Sequence, residues 1–180
     1  AVGSPRPHLS TAAHGPLAAL ARATGETTHL VVLEGNSVRF VDGVDGEQTL
    51  RVGSRVGVLL PAHATSGGKA LLAELAPEEL HGLYAAGLPA TRPGAPGDLA
   101  ALRRELGRVR RRGFALNLEE SERGVNAVGA CVRSVTGAPV AAAVVAGPAV
   151  RCGRRELLAL ADPLLETART IRTALHPPVV

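Results

Sequence analysis

Leu99, Leu102, Leu106 and Val109 recur at three- and four-residue spacing, with Arg104, Arg108, Arg111 and Arg112 pointing away from them. That pattern predicts an amphipathic helix from a cap at Asp98 to Arg112, stopped by Gly113. The same rules predict a helix over roughly Ala12 to Thr24, stopped by Gly25. "THLVVLEG" and "SVRFVDGVDG" follow as two β-rich runs around Glu34-Gly35-Asn36, a hairpin signature, and "QTLRVG" predicts a third strand ending at Gly53-Ser54. "GGKALLAEL" and "PEELHGLYAAG" predict two consecutive helices, Pro77 suiting the first turn of the second and Gly87 ending it. "PATRPGAPGD" is a loop. "FALNL", "VNAVGACVRS" and "VAAAVVAG" predict three more strands, joined by the polar "EESERG" and the turn "VTGAP". "RRELLALADPLLETARTIRTAL" closes the chain as a long helix containing Pro163. The order is helix, three strands, three helices, three strands, helix. Short turns between neighbouring strands favour antiparallel pairing in one α+β domain over residues 1–180, with about six strands.

Composition fits one folded domain: 46% of the residues are apolar and 20% are charged. With one Tyr, two Phe and no Trp, the core must be aliphatic. The net charge of +4 arises mainly from "RRELGRVRRRG", Arg103 to Gly113. A nucleic-acid footprint is usually spread along a face, so this segment is expected to be a solvated helix face. Cys131 and Cys152 have neither CxxC nor disulfide-framework spacing, which points to a reducing cytoplasm. The polar, proline-broken N-terminus does not read as a secretory leader. The apolar run from Ala138 to Val150 is too short for a membrane helix and is cut by Gly-Pro.

Candidate chemistry concentrates in "LPAHATSGGKALLAEL", Leu60 to Leu75. A phosphate-binding P-loop fails at both ends, because His63 stands where the first Gly belongs and Ala70 follows Lys69. Ser66-Gly67-Gly68-Lys69 spells S-x-x-K, a serine-hydrolase pattern, yet Lys69 is the only lysine and no K-T-G partner can exist. His63 is expected to be structural. The remaining histidines (8, 14, 29, 81 and 176) form no metal-ligand spacing, and neither metal nor cofactor is expected. Glu119, Glu120 and Glu122 are expected to be a solvated cluster. What survives is backbone geometry: Ser66, Gly67 and Gly68 open a helix, whose first amides can accept an anion or a carbonyl oxygen, and glycines let a ligand come close.

"RVGSRVGVLLPAHATSGGKALLAEL" resembles the strand, loop and helix of the effector-binding domain in IclR-type bacterial transcription regulators, whose pattern is close to R-x-G-x-x-x-P-x-H-x-[ST]-x-x-G-K-A-x-L-A. "RRRGFALNLEESERGVNAVGACV", "GAPVAAAVVAGP" and "HLSTAAHGPLAALARATGETTHLVVLEG" resemble further blocks of that domain, in the family's order. The resemblance implies a GAF/PAS-like fold, a curved antiparallel sheet with helices on both sides, and a small-molecule pocket near Ser66-Gly67. It implies a homodimer or homotetramer, and a winged helix-turn-helix that grips operator DNA. No such pattern precedes Leu17–Ala23, so the chain is expected to be the sensing half alone.

Family members that bind small polar acids use loop amides at the positions of Ser66 and Gly67. They also use an acid at Asn117, a cysteine or serine at Ala127 and serines at Val144 and Ala146, with apolar walls at Val52 and Val125. Four polar contacts are therefore altered here. A carboxylate left without its donors loses on the order of 1–3 kcal/mol per contact, which implies an effector more apolar than glyoxylate or pyruvate. No catalytic residue is assigned. The alternatives are a small hydrolase using Ser66 and Lys69, and an oligomerisation module with no ligand.

Overall fold

The structure, a computed structural model, describes residues 7–175; His176 and its place in the histidine pattern lie outside them. Helix α1 (Pro7–Thr24) leads into strands β1 (Thr27–Glu34) and β2 (Ser37–Val44), then the short β3 (Leu59–Pro61). Helices α2 (Ser66–Leu72), α3 (Pro77–Leu83) and α4 (Leu99–Arg112) follow, then β4 (Ala115–Leu118), β5 (Val125–Arg133), β6 (Pro139–Pro148) and α5 (Arg154–Leu175). The six strands form one sheet in the order β3-β2-β1-β6-β5-β4, antiparallel at every pairing. Register breaks at Leu30/Val31 and Val132/Arg133, the irregularities that bend a sheet. This is the α+β architecture that the resemblance implied.

Both faces of the sheet are covered, so its central strands are apolar throughout instead of alternating. On β6, Ala141, Ala143 and Val145 face one way with Leu30, Val128 and Val132, against α1 and α5 through Leu17, Leu157, Leu164 and Ile171. Ala142, Val144 and Ala146 face the other way, with Val31, Phe40 and Ala127, toward Leu72, Tyr84, Leu102 and Leu106 from the middle helices. The stripe expected on α4 is present: Leu102, Leu106 and Val109 are buried, and Asp98 accepts from the Ala101 amide at 2.7 Å as its cap. Arg104, Arg108 and Arg111 are exposed, but Arg112 folds back, its Nε donating to the Phe114 carbonyl at 2.7 Å. No described helix is long and apolar enough to cross a membrane.

One predicted element is misplaced. "QTLRVG" is no strand; the chain runs irregularly until β3 begins at Leu59. Side chains hold this segment where a ladder was expected. Thr27 Oγ1 donates to the Val52 carbonyl at 2.5 Å, Arg151 Nη2 donates to the Leu50 carbonyl at 2.7 Å, and the Arg55 amide donates to His29 Nε2 at 3.0 Å. Those bonds lay the segment across one end of the sheet.

Candidate effector pocket

Sheet register assembles the site. Asn117 pairs with Ala127 and Ala127 with Ala146, so three candidate positions from β4, β5 and β6 stand side by side. Two residues along, Val125 and Val144 share that face. Opposite them, Ser66 and Gly67 open α2, capped by Thr65, whose hydroxyl accepts from the Gly68 amide at 3.1 Å. The irregular segment adds Val52. All eight residues singled out from the sequence border one cavity, of about 40 Å³. Its walls are mostly aliphatic, with Val31, Val38 and Leu60 completing them.

The glycines of α2 serve packing first. A methyl group on Gly67 would lie 2.5 Å from a Val31 methyl and 2.9 Å from one of Val144, and on Gly68 it would lie 2.1 Å from the Ala62 carbonyl oxygen. Gly129 on β5 completes the fit, since a methyl there would meet the Gly67 amide nitrogen at 2.7 Å. The glycines thus admit the sheet and the preceding turn, a packing role that the sequence does not reveal. Gly67 nevertheless borders the cavity.

The cavity's polar edge comes largely from Arg55, Glu122 and His29, to which the sequence assigned no ligand role. Arg55 Nη2 meets Glu122 Oε2 at 2.5 Å across a separation of 67 residues, bridging the irregular segment and the β4–β5 turn. His29, buried on β1, stacks edge-on against Phe40 at 5.0 Å. Burial, and then the Arg55 charge, bring its pKa down to about 4. Because Nε2 accepts from the Arg55 amide, the neutral ring carries its proton on Nδ1, which is buried and has no hydrogen-bond partner among the described residues. Asn117 is largely committed elsewhere: its Nδ2 donates to Ser121 Oγ at 2.8 Å and its Oδ1 accepts from the Glu120 amide at 2.8 Å. No periodicity marks Arg55, Glu122 or His29, since each reaches the cavity only through tertiary folding. The one available signal was their position within the quoted blocks.

Lys69, one turn after Ser66, is no activator of it. Its ammonium is buried between Glu120, at 3.0 and 3.1 Å, and Glu105, at 3.4 Å. Burial pushes the Glu120 carboxyl up against the pull of Lys69, whereas Lys69, Arg108 and Arg112 outweigh burial at Glu105 and hold it low. Removing one member of such a buried pair costs about 3–5 kcal/mol, so these groups are structural and the hydrolase alternative lacks its base. The expectation of a solvated cluster is corrected at Glu120, which is buried on Lys69; Glu122, paired with Arg55, and Glu119, whose Oε1 accepts from the Gly124 amide at 2.7 Å, remain partly exposed. His63 is buried, edge-on to Tyr84 at 6.0 Å, its pKa lowered by burial, and neither ring nitrogen has a hydrogen-bond partner among the described residues.

Residues 5–173 match the model of the family described as bacterial transcriptional regulator IclR, C-terminal. A curated relative, the HTH-type transcriptional repressor AllR of Salmonella typhi, is 33% identical over 159 residues, which is 87% of this chain and 58% of that repressor. The chain thus spans a little over half the length of the AllR proteins it matches. The crystal structure of the Thermotoga maritima IclR superposes with a TM-score of 0.86 at 32% identity, covering 94% of this chain and 69% of that one. The inducer-binding domain of the transcription factor PobR from Acinetobacter, a double mutant solved with 3-hydroxybenzoic acid, superposes with a TM-score of 0.83 at 30% identity, covering 91% and 97%.

Proposed function

We propose that this chain, which belongs to the IclR family of bacterial transcriptional regulators as a C-terminal domain, senses one small organic acid in the cavity beside Ser66. The family is one of regulators, and the chain is not an enzyme. The observation that carries the proposal is the lining: eight contact positions of the family surround one hollow, aliphatic on most sides and polar at one end. An effector with an apolar body fits the walls at Ala127, Val144 and Ala146. Its acidic head would take the Arg55 guanidinium, in exchange for Glu122, and the His29 Nδ1 proton. The bound acid of the PobR domain is of that kind. A space of about 40 Å³ holds little more than water, so binding requires the walls to part, and the partly exposed Arg55–Glu122 bridge is where they would open.

In the whole regulator, this event would alter how an N-terminal winged helix-turn-helix grips operator DNA in the cytoplasm, as a repressor. The regulator would be a homodimer or homotetramer, and the exposed Leu50, Val56, Val58 and Leu59 supply apolar surface for self-association. Calorimetric titration with a panel of aromatic and short aliphatic acids tests the sensing role. The expected result is saturable binding of an aromatic acid, weakened about tenfold or more in Arg55→Ala. Tight binding of glyoxylate or pyruvate with none of any aromatic acid would contradict the effector class. The narrowness of the cavity favours one rival, a ligand-free oligomerisation module, for which no acid in the panel binds.

A further inference from the structure

A second recess lies where α2, α4, the end of β4 and the start of α5 meet, and it shares no lining residue with the effector pocket. It is roomier, about 320 Å³, and polar. Lys69, Arg108, Arg112 and Arg154 line it against only Glu105 and Glu120, an excess of two positive charges. The carboxylates are already engaged: Glu120 holds Lys69, and Glu105 meets Lys69 at 3.4 Å, Arg108 at 2.8 Å and Arg112 at 3.5 Å. Arg112 Nη2 is buried with only the long 3.5 Å ion pair to Glu105 Oε1 and makes no hydrogen bond among the described residues, although its Nε is satisfied by Phe114. Arg154, exposed at the first position of α5, makes no ion pair among the described residues. A buried guanidinium donor without a bond is costly, and the neighbouring arginines add repulsion, with burial and then the charges of Arg154 and Arg108 lowering the Arg112 pKa against Glu105.

We infer that this recess binds a small doubly charged oxyanion of the phosphate class, held between the guanidinium groups of Arg112, Arg154 and Arg108. Such an ion cancels the excess charge and gives Arg112 Nη2 an acceptor. Guanidinium forks suit tetrahedral oxyanions, because two parallel N–H groups can meet two oxygens. The N-terminal end of α5 adds a favourable partial charge.

Titrating the chain with inorganic phosphate, in chloride buffers of matched ionic strength, tests the site. Saturable binding of one phosphate per chain is expected, weakened about tenfold or more in Arg154→Ala and in Arg112→Gln. Arg154 makes no bond whose loss would unfold the chain, so its variant keeps the test valid if Arg112→Gln folds poorly. Arg103→Ala, exposed on the same helix outside the recess, should bind as the parent does. Ala127→Leu, which crowds only the effector pocket, should also bind phosphate unchanged. The inference is overturned if phosphate gives no saturable heat, if Arg154→Ala binds like the parent, if Arg103→Ala loses as much as Arg154→Ala, or if Ala127→Leu abolishes binding.

Discussion

His29 is neutral in the folded chain because burial and the nearby Arg55 bring its pKa from 6.5 to about 4. In the unfolded chain the ring takes up a proton near the ordinary value. Between those two values the unfolded state binds more protons, so lowering the pH favours unfolding. The stabilisation is complete above about pH 6.5, is lost as the pH falls toward 4, and amounts to on the order of 3 kcal/mol. Urea unfolding at neutral pH and near pH 5, on the parent and on His29→Gln, measures it. The parent should lose more stability on acidification than the variant, and equal losses would contradict a buried neutral His29. At this scale the sequence was a partial guide. Ser66 and Gly67 stood out through their motif, whereas Arg55 and Glu122 are ordinary surface residues until the fold brings their side chains together.

Helix α2 shows why the two glycines before Lys69 are there. The helix starts so close to the sheet and to Ala62 that a methyl at Gly68 has no room. Gly82, inside α3, meets nothing within 4 Å. Gly68→Ala should therefore destabilise the chain by about 3 kcal/mol or more. Gly82→Ala should be neutral or stabilise by up to about 1 kcal/mol, from helix propensity. Thermal unfolding of the two variants separates them, and equal midpoints would contradict the packing account. Most elements were legible from spacing alone, because α4 and α5 show apolar residues at helical period and β1, β5 and β6 carry aliphatic runs between turn residues. The third strand was mislocated because "QTLRVG" alternates like a strand, while its backbone is held by Thr27, Arg151 and the His29–Arg55 bond. Those partners lie 25 or more residues away, beyond any local pattern.

At the scale of the molecule, a covered sheet leaves one aliphatic hollow at the edge where β4, β5 and β6 align Asn117, Ala127 and Ala146. The ordered sequence blocks pointed to that arrangement, but its charged edge and its narrowness emerged only from the packed structure. The central claim is that an organic acid occupies this hollow. The most direct measurement is a calorimetric titration of the parent and of Ala127→Leu, checked to be folded, with the aromatic acid that the parent binds best. The account predicts one acid per chain on the parent and loss of binding in the variant, whose larger side chain fills the space. Undiminished binding by folded Ala127→Leu, or no binding of any acid by the parent, would contradict it.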